Sequence, residues 1–208
     1  MVATSLLYHL HTLLLFTKSD VKIVILPVVR NAYSPPCIPS LLTSYAGLFF
    51  HRQTLFAAAA APSCSLTRLP HAVLWLWVHA LHCALANQTL PHSVAEDALN
   101  HPDRPLPAGR ISLRTACTLR WMIIPMCLLL SAAYGPRTLL ASLCGSLYML
   151  AYNDWGGARS HWLVRSALNA IGNGTALAGT TLVICTSHLR LARTPKGLTL
   201  PPSPPPRQ

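Results

Sequence analysis

The sequence is poor in acid. Asp and Glu together number five in 208 residues, at Asp20, Glu96, Asp97, Asp103 and Asp154, and charged residues of both signs make up only 10% of the chain. An average globular chain carries roughly 25%, so a highly charged soluble domain is excluded. A hydrophobic content of 52% and a mean hydropathy of +0.41 exclude disorder across the whole chain. A dense basic patch is also missing. The 16 Lys and Arg that leave the net charge at +11 are spread along apolar stretches, which does not suit nucleic acid. No C-x-x-C pair occurs among the seven cysteines. An odd number scattered through apolar runs gives neither a zinc site nor a disulfide framework, and free core thiols are expected. A membrane protein with basic loops fits what remains.

Crossing ~30 Å of hydrocarbon takes ~20 largely apolar residues in a helix. Runs of this kind at 69–86, 116–134 and 163–185 predict three spans. A fourth is expected at 41–61, although His51 and Arg52 interrupt it. The stretch 138–152 is apolar too, but at ~1.5 Å per residue it reaches only ~22 Å, so it is expected to extend past Trp155 or to tilt little. Near the start, the apolar segments 6–16 and 21–29 flank Lys18, Ser19 and Asp20. No basic region precedes them and no small-residue cleavage site follows, so a cleaved signal peptide is not expected.

Gly135-Pro136 breaks two apolar runs, and 116–152 therefore reads as a helical hairpin. An even number of crossings then separates the polar segments 87–114 and 153–162, which must face one side. Arg104, Arg110, Arg114, Arg159 and Arg165 mark that side as cytoplasmic, against Arg137 alone in the intervening turn. After Thr186 come His188, Arg190, Arg193 and Lys196 and then a proline run at 201–206. The domain organisation expected is a transmembrane domain over 1–187 and a basic, Pro-rich disordered tail over 188–208.

Three of the five acids fall between 96 and 103. Glu96, Asp97, Asn100 and Asp103 are spaced to share one face if the segment is helical as far as Pro102. Hard oxygen donors of this kind suit Mg²⁺, which binds through one or two carboxylates with water and substrate phosphates completing the shell. Arg104 adds a guanidinium fork for a diphosphate oxygen. Composition alone favours a solvated loop whose acids pair with its own arginines. In the second polar segment, Asn153 and Asp154 stand at a helix end before Gly156-Gly157. A single Asp beside two glycines is more often a cap or turn than a ligand. Its position on the same membrane face as the first cluster makes it a candidate, because two acidic loops at one mouth of a bundle could hold Mg²⁺ and a diphosphate between them.

The stretch N-H-P-D-R-P-L-P-A-G-R-I-S at 100–112 resembles the signature that follows the first aspartate-rich motif of the UbiA superfamily of intramembrane prenyltransferases. A fungal branch that includes UbiA-type terpene cyclases is nearer still. L-F-T-K-S-D at 15–20, N-Q at 87–88, E-D-x-x-N at 96–100, A-x-x-L-R-W at 116–121, Y-N-D-x-G-G at 152–157 and W-L-V-R-x-x-L-N-A-I-G at 162–172 are similar to that branch. The resemblance implies an all-α integral membrane fold. This chain would carry about five of about nine transmembrane helices, in the endoplasmic reticulum with the motif loops in the cytosol.

The resemblance further implies an isoprenoid diphosphate substrate held through Mg²⁺, with Asp97 and Asp154 as the catalytic acids. Glu96, Asn87 and Asn153 would be supporting metal ligands, and Arg104, Lys18 and Arg165 would contact the diphosphate. Trp75, Trp77, Trp121, Tyr148 and Trp155 are candidates for the wall that shields a carbocation. Where the family usually writes N-D-x-x-D-x-x-x-D, this chain has Thr89, Leu90 and Ser93 before Asp97, and Ala158 replaces a second-motif acid. The activity expected is cyclisation of farnesyl or geranylgeranyl diphosphate in fungal secondary metabolism. The alternatives are prenyl transfer to an aromatic or other acceptor, and a truncated, non-catalytic membrane remnant.

Asn87-Gln88-Thr89 and Asn173-Gly174-Thr175 match the N-glycosylation sequon. On the orientation above, neither asparagine reaches the lumen. Glycosidase digestion is expected to leave electrophoretic mobility unchanged, and a shift would reverse the assigned orientation.

Overall fold

The computed structural model describes residues 2–32 and 66–185. The span expected at 41–61 and the tail expected at 188–208 lie outside the described residues. Among the described residues every regular element is helical. The N-terminal apolar run forms α1 (Val2–Phe16), a short helical turn at Lys18–Asp20, a π-turn at Val21–Ile25, and α2 (Leu26–Ala32). The main body is α3 (Leu69–Gln88), α4 (Pro91–Asn100), α5 (Leu113–Tyr134), α6 (Pro136–Met149) and α7 (Trp162–Cys185).

Local sequence sets the helix ends. Pro sits in the first turn of α3, α4 and α6, where its fixed φ fits and its missing N–H would have no partner. Ser112 caps α5 by accepting the Thr115 N–H through Oγ at 3.1 Å. Between α5 and α6 stands Gly135 at φ +125°, a backbone conformation that a Cβ would strain, so the predicted hairpin closes there. The 138–152 stretch neither runs past Trp155 nor forms one plain helix. It is α6 followed by a π-turn over Leu150–Asp154, and Gly156 at φ +79° then turns the chain toward α7.

By length and apolarity, α3 and α5 are long and apolar enough to cross a bilayer. The run at 163–185 forms a 24-residue helix whose apolar residues are interspersed with asparagines, threonines and glycines. Much of the outward surface is apolar, including Trp121, Met122, Leu129, Leu140 and Leu147, as a helix bundle facing hydrocarbon requires.

Helix α3 is central. One apolar cluster joins its N-terminal half, through Ala72, Trp75, Leu76 and Ala80, to Ile25 and Val28 on the N-terminal segment and to Val183 and Ile184 of α7. A second joins Val78, Leu81, Ala84 and Leu85 to Phe16 and to Ala116, Ile123 and Cys127 of α5. Because α5 and α6 form a hairpin, the segments 87–112 and 150–161 emerge at one end of the bundle. Trp75 pins the opposite half, donating its indole N–H to Ser131 Oγ at 2.8 Å while stacking on His79 at a centroid separation of 3.8 Å.

Helices meeting in lipid gain from small residues that let them approach closely. On α7, a Cβ at Gly179 would run into the Trp75 indole, and one at Gly172 into the Tyr148 ring. Gly179→Ala is therefore expected to destabilise the bundle by about 1–3 kcal/mol, read as a lowered Tm in detergent. Gly145→Ala, whose Cβ would meet Thr175 Oγ1 at an ordinary 3.6 Å, is expected to leave Tm unchanged. Equal effects from both would show that the Trp75 contact is not limiting.

Candidate active site

The end of the bundle that carries both polar segments is organised by ion pairs. Asp97 faces inward from α4 and is 5% exposed, with Oδ1 accepting from Arg104 Nη1 at 2.5 Å. Arg104 reaches it because His101–Gly109 folds as a series of tight turns, with the Arg104 N–H donating to His101 O at 3.0 Å. Helix α4 stops at Asn100 since His101 precedes Pro102, and a residue before proline is driven out of the α region. The shared acidic face expected from 96 to 103 accordingly does not form. Only Asp97 points inward. Glu96 and Asn100 are exposed, and Asp103 turns to Lys18, whose Nζ it meets at 3.0 Å. That pair is largely solvent-exposed, and the Lys18 ammonium holds the Asp103 carboxyl below the usual carboxylate range.

The second polar segment is tied to the first by a residue that the sequence marks only as part of A-x-x-L-R-W at 116–121. Arg120, two turns inside α5 and 8% exposed, donates through Nη2 to Asp154 Oδ2 and through Nη1 to Thr89 Oγ1 at 3.5 Å. It therefore joins the end of α3, the body of α5 and the π-turn after α6. A charge set into an apolar helix is the signal that marks it. Asp20 is a second residue of this kind. It is half-buried in the break after α1, within electrostatic reach of Arg104. Both Arg120 and Asp20 stand inside segments that carry the family resemblance.

The other expected ligands are placed less favourably. Asn153 is buried, and its Nδ2 donates to Met149 O at 3.1 Å. Asn87 donates to Cys83 Sγ at 3.5 Å and reaches the cavity below. Arg165 is exposed in the first turn of α7, apart from the two ion pairs. Among the described residues no group of three or more His, Cys, Asp or Glu gathers as a protein-only metal cage. The donor set is instead one carboxylate from each motif, which is the kind of contribution Mg²⁺ takes when phosphate and water supply its other oxygens. The residues fit the ion in that sense.

Beneath the charged end lies a cavity of about 260 Å³ between α3, α6 and α7. Its wall is mainly apolar and aromatic, with Trp75, Leu76, Met149, Tyr148 and Tyr152. His79, His82, Asn87, Asn169, Asn173 and Thr175 are among its polar groups. Of the five expected aromatics, Trp75 and Tyr148 line this space. Trp77 donates to Thr17 Oγ1 at 3.0 Å, and Trp121 and Trp155 are 54% and 73% exposed, so these three serve packing or the outer surface.

Removing one partner of a largely buried ion pair leaves the other charge uncompensated. Arg120→Met is expected to cost about 2 kcal/mol, toward the low end because Asp154 retains some solvent. The double variant Arg120→Met/Asp154→Asn should recover part of that loss in the same detergent unfolding measurement. Strict additivity would show that the pair does not act as a unit.

Comparison with known proteins agrees with this arrangement. The chain matches the model of the UbiA prenyltransferase family over residues 38–202. It is 30% identical over 174 residues to the fumagillin β-trans-bergamotene synthase of Aspergillus fumigatus, covering 84% of this chain and 50% of that protein. It is 32% identical over 105 residues to a diterpene cyclase of Hericium erinaceus, covering 50% of this chain and 32% of that one. Over 61 residues it is 38% identical to the digeranylgeranylglyceryl phosphate synthase of Metallosphaera sedula, covering 29% of this chain and 22% of that protein. The chain thus spans half or less of the length of these relatives. No solved structure matches it significantly. An all-helical bundle with membrane-capable helices, ion-paired acids from two motifs at one end, and a family match across most of the sequence lead to one conclusion: the chain belongs to the UbiA prenyltransferase family, whose members are integral membrane helical enzymes acting on isoprenoid diphosphates.

Proposed function

We propose that the chain serves Mg²⁺-dependent ionisation and cyclisation of farnesyl or geranylgeranyl diphosphate, as a membrane terpene cyclase of fungal secondary metabolism. The observation that carries this reading is that Asp97 and Asp154, one from each motif, are each held by an arginine at the end of the bundle to which the α5–α6 hairpin returns the chain, with a mainly apolar cavity between α3, α6 and α7. The two fungal relatives, whose names are those of terpene synthases or cyclases, support it.

In this reading Asp97 and Asp154 hold the metal, with Asn87 and Asn153 as further oxygen donors, while Glu96 stands on the outer face of α4. When bound, Mg²⁺ neutralises charge on the departing diphosphate. Arg104 and Arg120 bring guanidinium forks to the same mouth, and such forks match phosphate oxygens; Lys18 and Arg165 add positive charge from the periphery. These fixed charges favour heterolysis of the allylic C–O bond, whose electron pair leaves with the diphosphate. The cation remains against the apolar wall, where the faces of Trp75 and Tyr148 stabilise positive charge and water is excluded. Five arginines on the motif side of the spans support a cytosolic mouth in the endoplasmic reticulum membrane.

A second reading is prenyl transfer to an acceptor. It draws support from the polar cavity groups His82, Asn169 and Thr175, which could orient an oxygenated molecule. Microsomes incubated with farnesyl or geranylgeranyl diphosphate and Mg²⁺ separate the readings, because a cyclase alone yields a cyclised product without acceptor. Product that forms only with an acceptor would favour transfer, and none in either case would favour a non-catalytic chain. Asp97→Ala and Asp154→Ala are each expected to lower turnover roughly 100-fold or more. Retained activity in both variants would overturn the metal assignment.

A further inference from the structure

Helix α3 carries three histidines whose rings are held differently. His71 Nδ1 lies 2.9 Å from the Tyr134 hydroxyl. His79 is committed at both nitrogens, Nδ1 to Trp75 O at 2.7 Å and Nε2 to Ser142 Oγ at 2.8 Å. His82 is 3% exposed and lines the cavity, yet among the described residues nothing hydrogen-bonds its ring. Buried polar side chains nearly always have a hydrogen-bond partner, and an imidazole left open against a cavity is available to whatever fills it.

The position is distinctive. His82 lies six residues before Gln88, about 9 Å along the helix at ~1.5 Å per residue. It is therefore below the diphosphate end and beside the hydrocarbon space. His79 is already engaged at both nitrogens, and the amides, hydroxyls, phenols and thiol that make up the other polar groups of the wall are poor proton acceptors, whereas a neutral imidazole offers one basic nitrogen lone pair.

We propose that His82 is the proton acceptor of the cavity, taking the proton that the cyclised terpenoid cation loses when its closing alkene forms. This rests on the cyclase reading above. A C–H bond next to the cationic carbon breaks, its electron pair becomes the C=C π bond, and the proton passes to the imidazole nitrogen. The products are a neutral hydrocarbon and an imidazolium, which returns the proton to the released diphosphate or to water.

The test separates ionisation from termination. In microsomes with farnesyl diphosphate and Mg²⁺, His82→Gln keeps a polar side chain that cannot carry the proton. Diphosphate release should stay close to wild type, while the main hydrocarbon falls about tenfold and water-captured alcohols or alternative alkenes replace it. An unchanged hydrocarbon pattern with normal release would overturn the assignment. Absence of diphosphate release from the wild type would instead overturn the cyclase reading.

Binding then decides on His82 without turnover. A tertiary-ammonium terpene analogue, its N–H⁺ able to donate to the ring, is titrated with inorganic diphosphate and Mg²⁺ against wild type and His82→Leu. About tenfold weaker binding to the variant supports the proposal. Equal binding, or no binding to either, overturns it. His82→Leu also replaces His82→Gln in the product assay where the glutamine variant does not fold.

Discussion

A guanidinium cannot shed its proton and cannot stand alone in an apolar bundle, and this constraint organises the end of the molecule that matters. Arg120 enters the bundle two turns into α5, where an unpaired charge would cost several kcal/mol. Its neighbours answer it from both sides, Asp154 from the turn after α6 and Thr89 from the end of α3. Three chain segments far apart in sequence are thereby drawn to one point. The Asp97–Arg104 pair repeats the arrangement within the first motif. Each acid is presented by a helix end and matched by an arginine, so the two motifs form one charged rim above the apolar space.

That division of labour is visible in the hydrogen bonds. At the rim, charged groups meet charged groups. Below it, buried polar groups are satisfied largely by neutral partners: the Trp75 indole by Ser131, His79 by Trp75 O and Ser142, and Thr180 by the carbonyl one turn back. A low-dielectric wall under a charged rim suits chemistry in which charge separates at the mouth and a hydrocarbon rearranges inside.

Much of this was legible in the sequence because it depends on local rules. Run length located α3, α5 and α7 within a few residues, Gly135-Pro136 located the hairpin, and counting crossings put both acidic segments at one end. Asp97 and Asp154 were recognisable from their motifs. What could not be read depended on which way a helix faces. Glu96 and Asp97 are adjacent, so a helix that buries one exposes the other, and residue type does not say which. The 96–103 face failed because proline stopped the helix before Asp103 could join it. Arg120 is hidden for the opposite reason: the acids stand out by their scarcity, while the partner that positions one of them is one of many basic residues. The separation of His79 from His82 was also beyond sequence, because it depends on a serine 63 residues along the chain.

The contact between Gly179 and Trp75 has a consequence for size. Trp75 is the deepest residue that α3 contributes to the cavity wall, and its ring is held by Ser131, by His79 and by the bare backbone of α7. A plate fixed on three sides does not yield to whatever presses on it. The far limit of the cavity is therefore set by how closely two helices approach, α3 through its indole and α7 through a residue without a side chain.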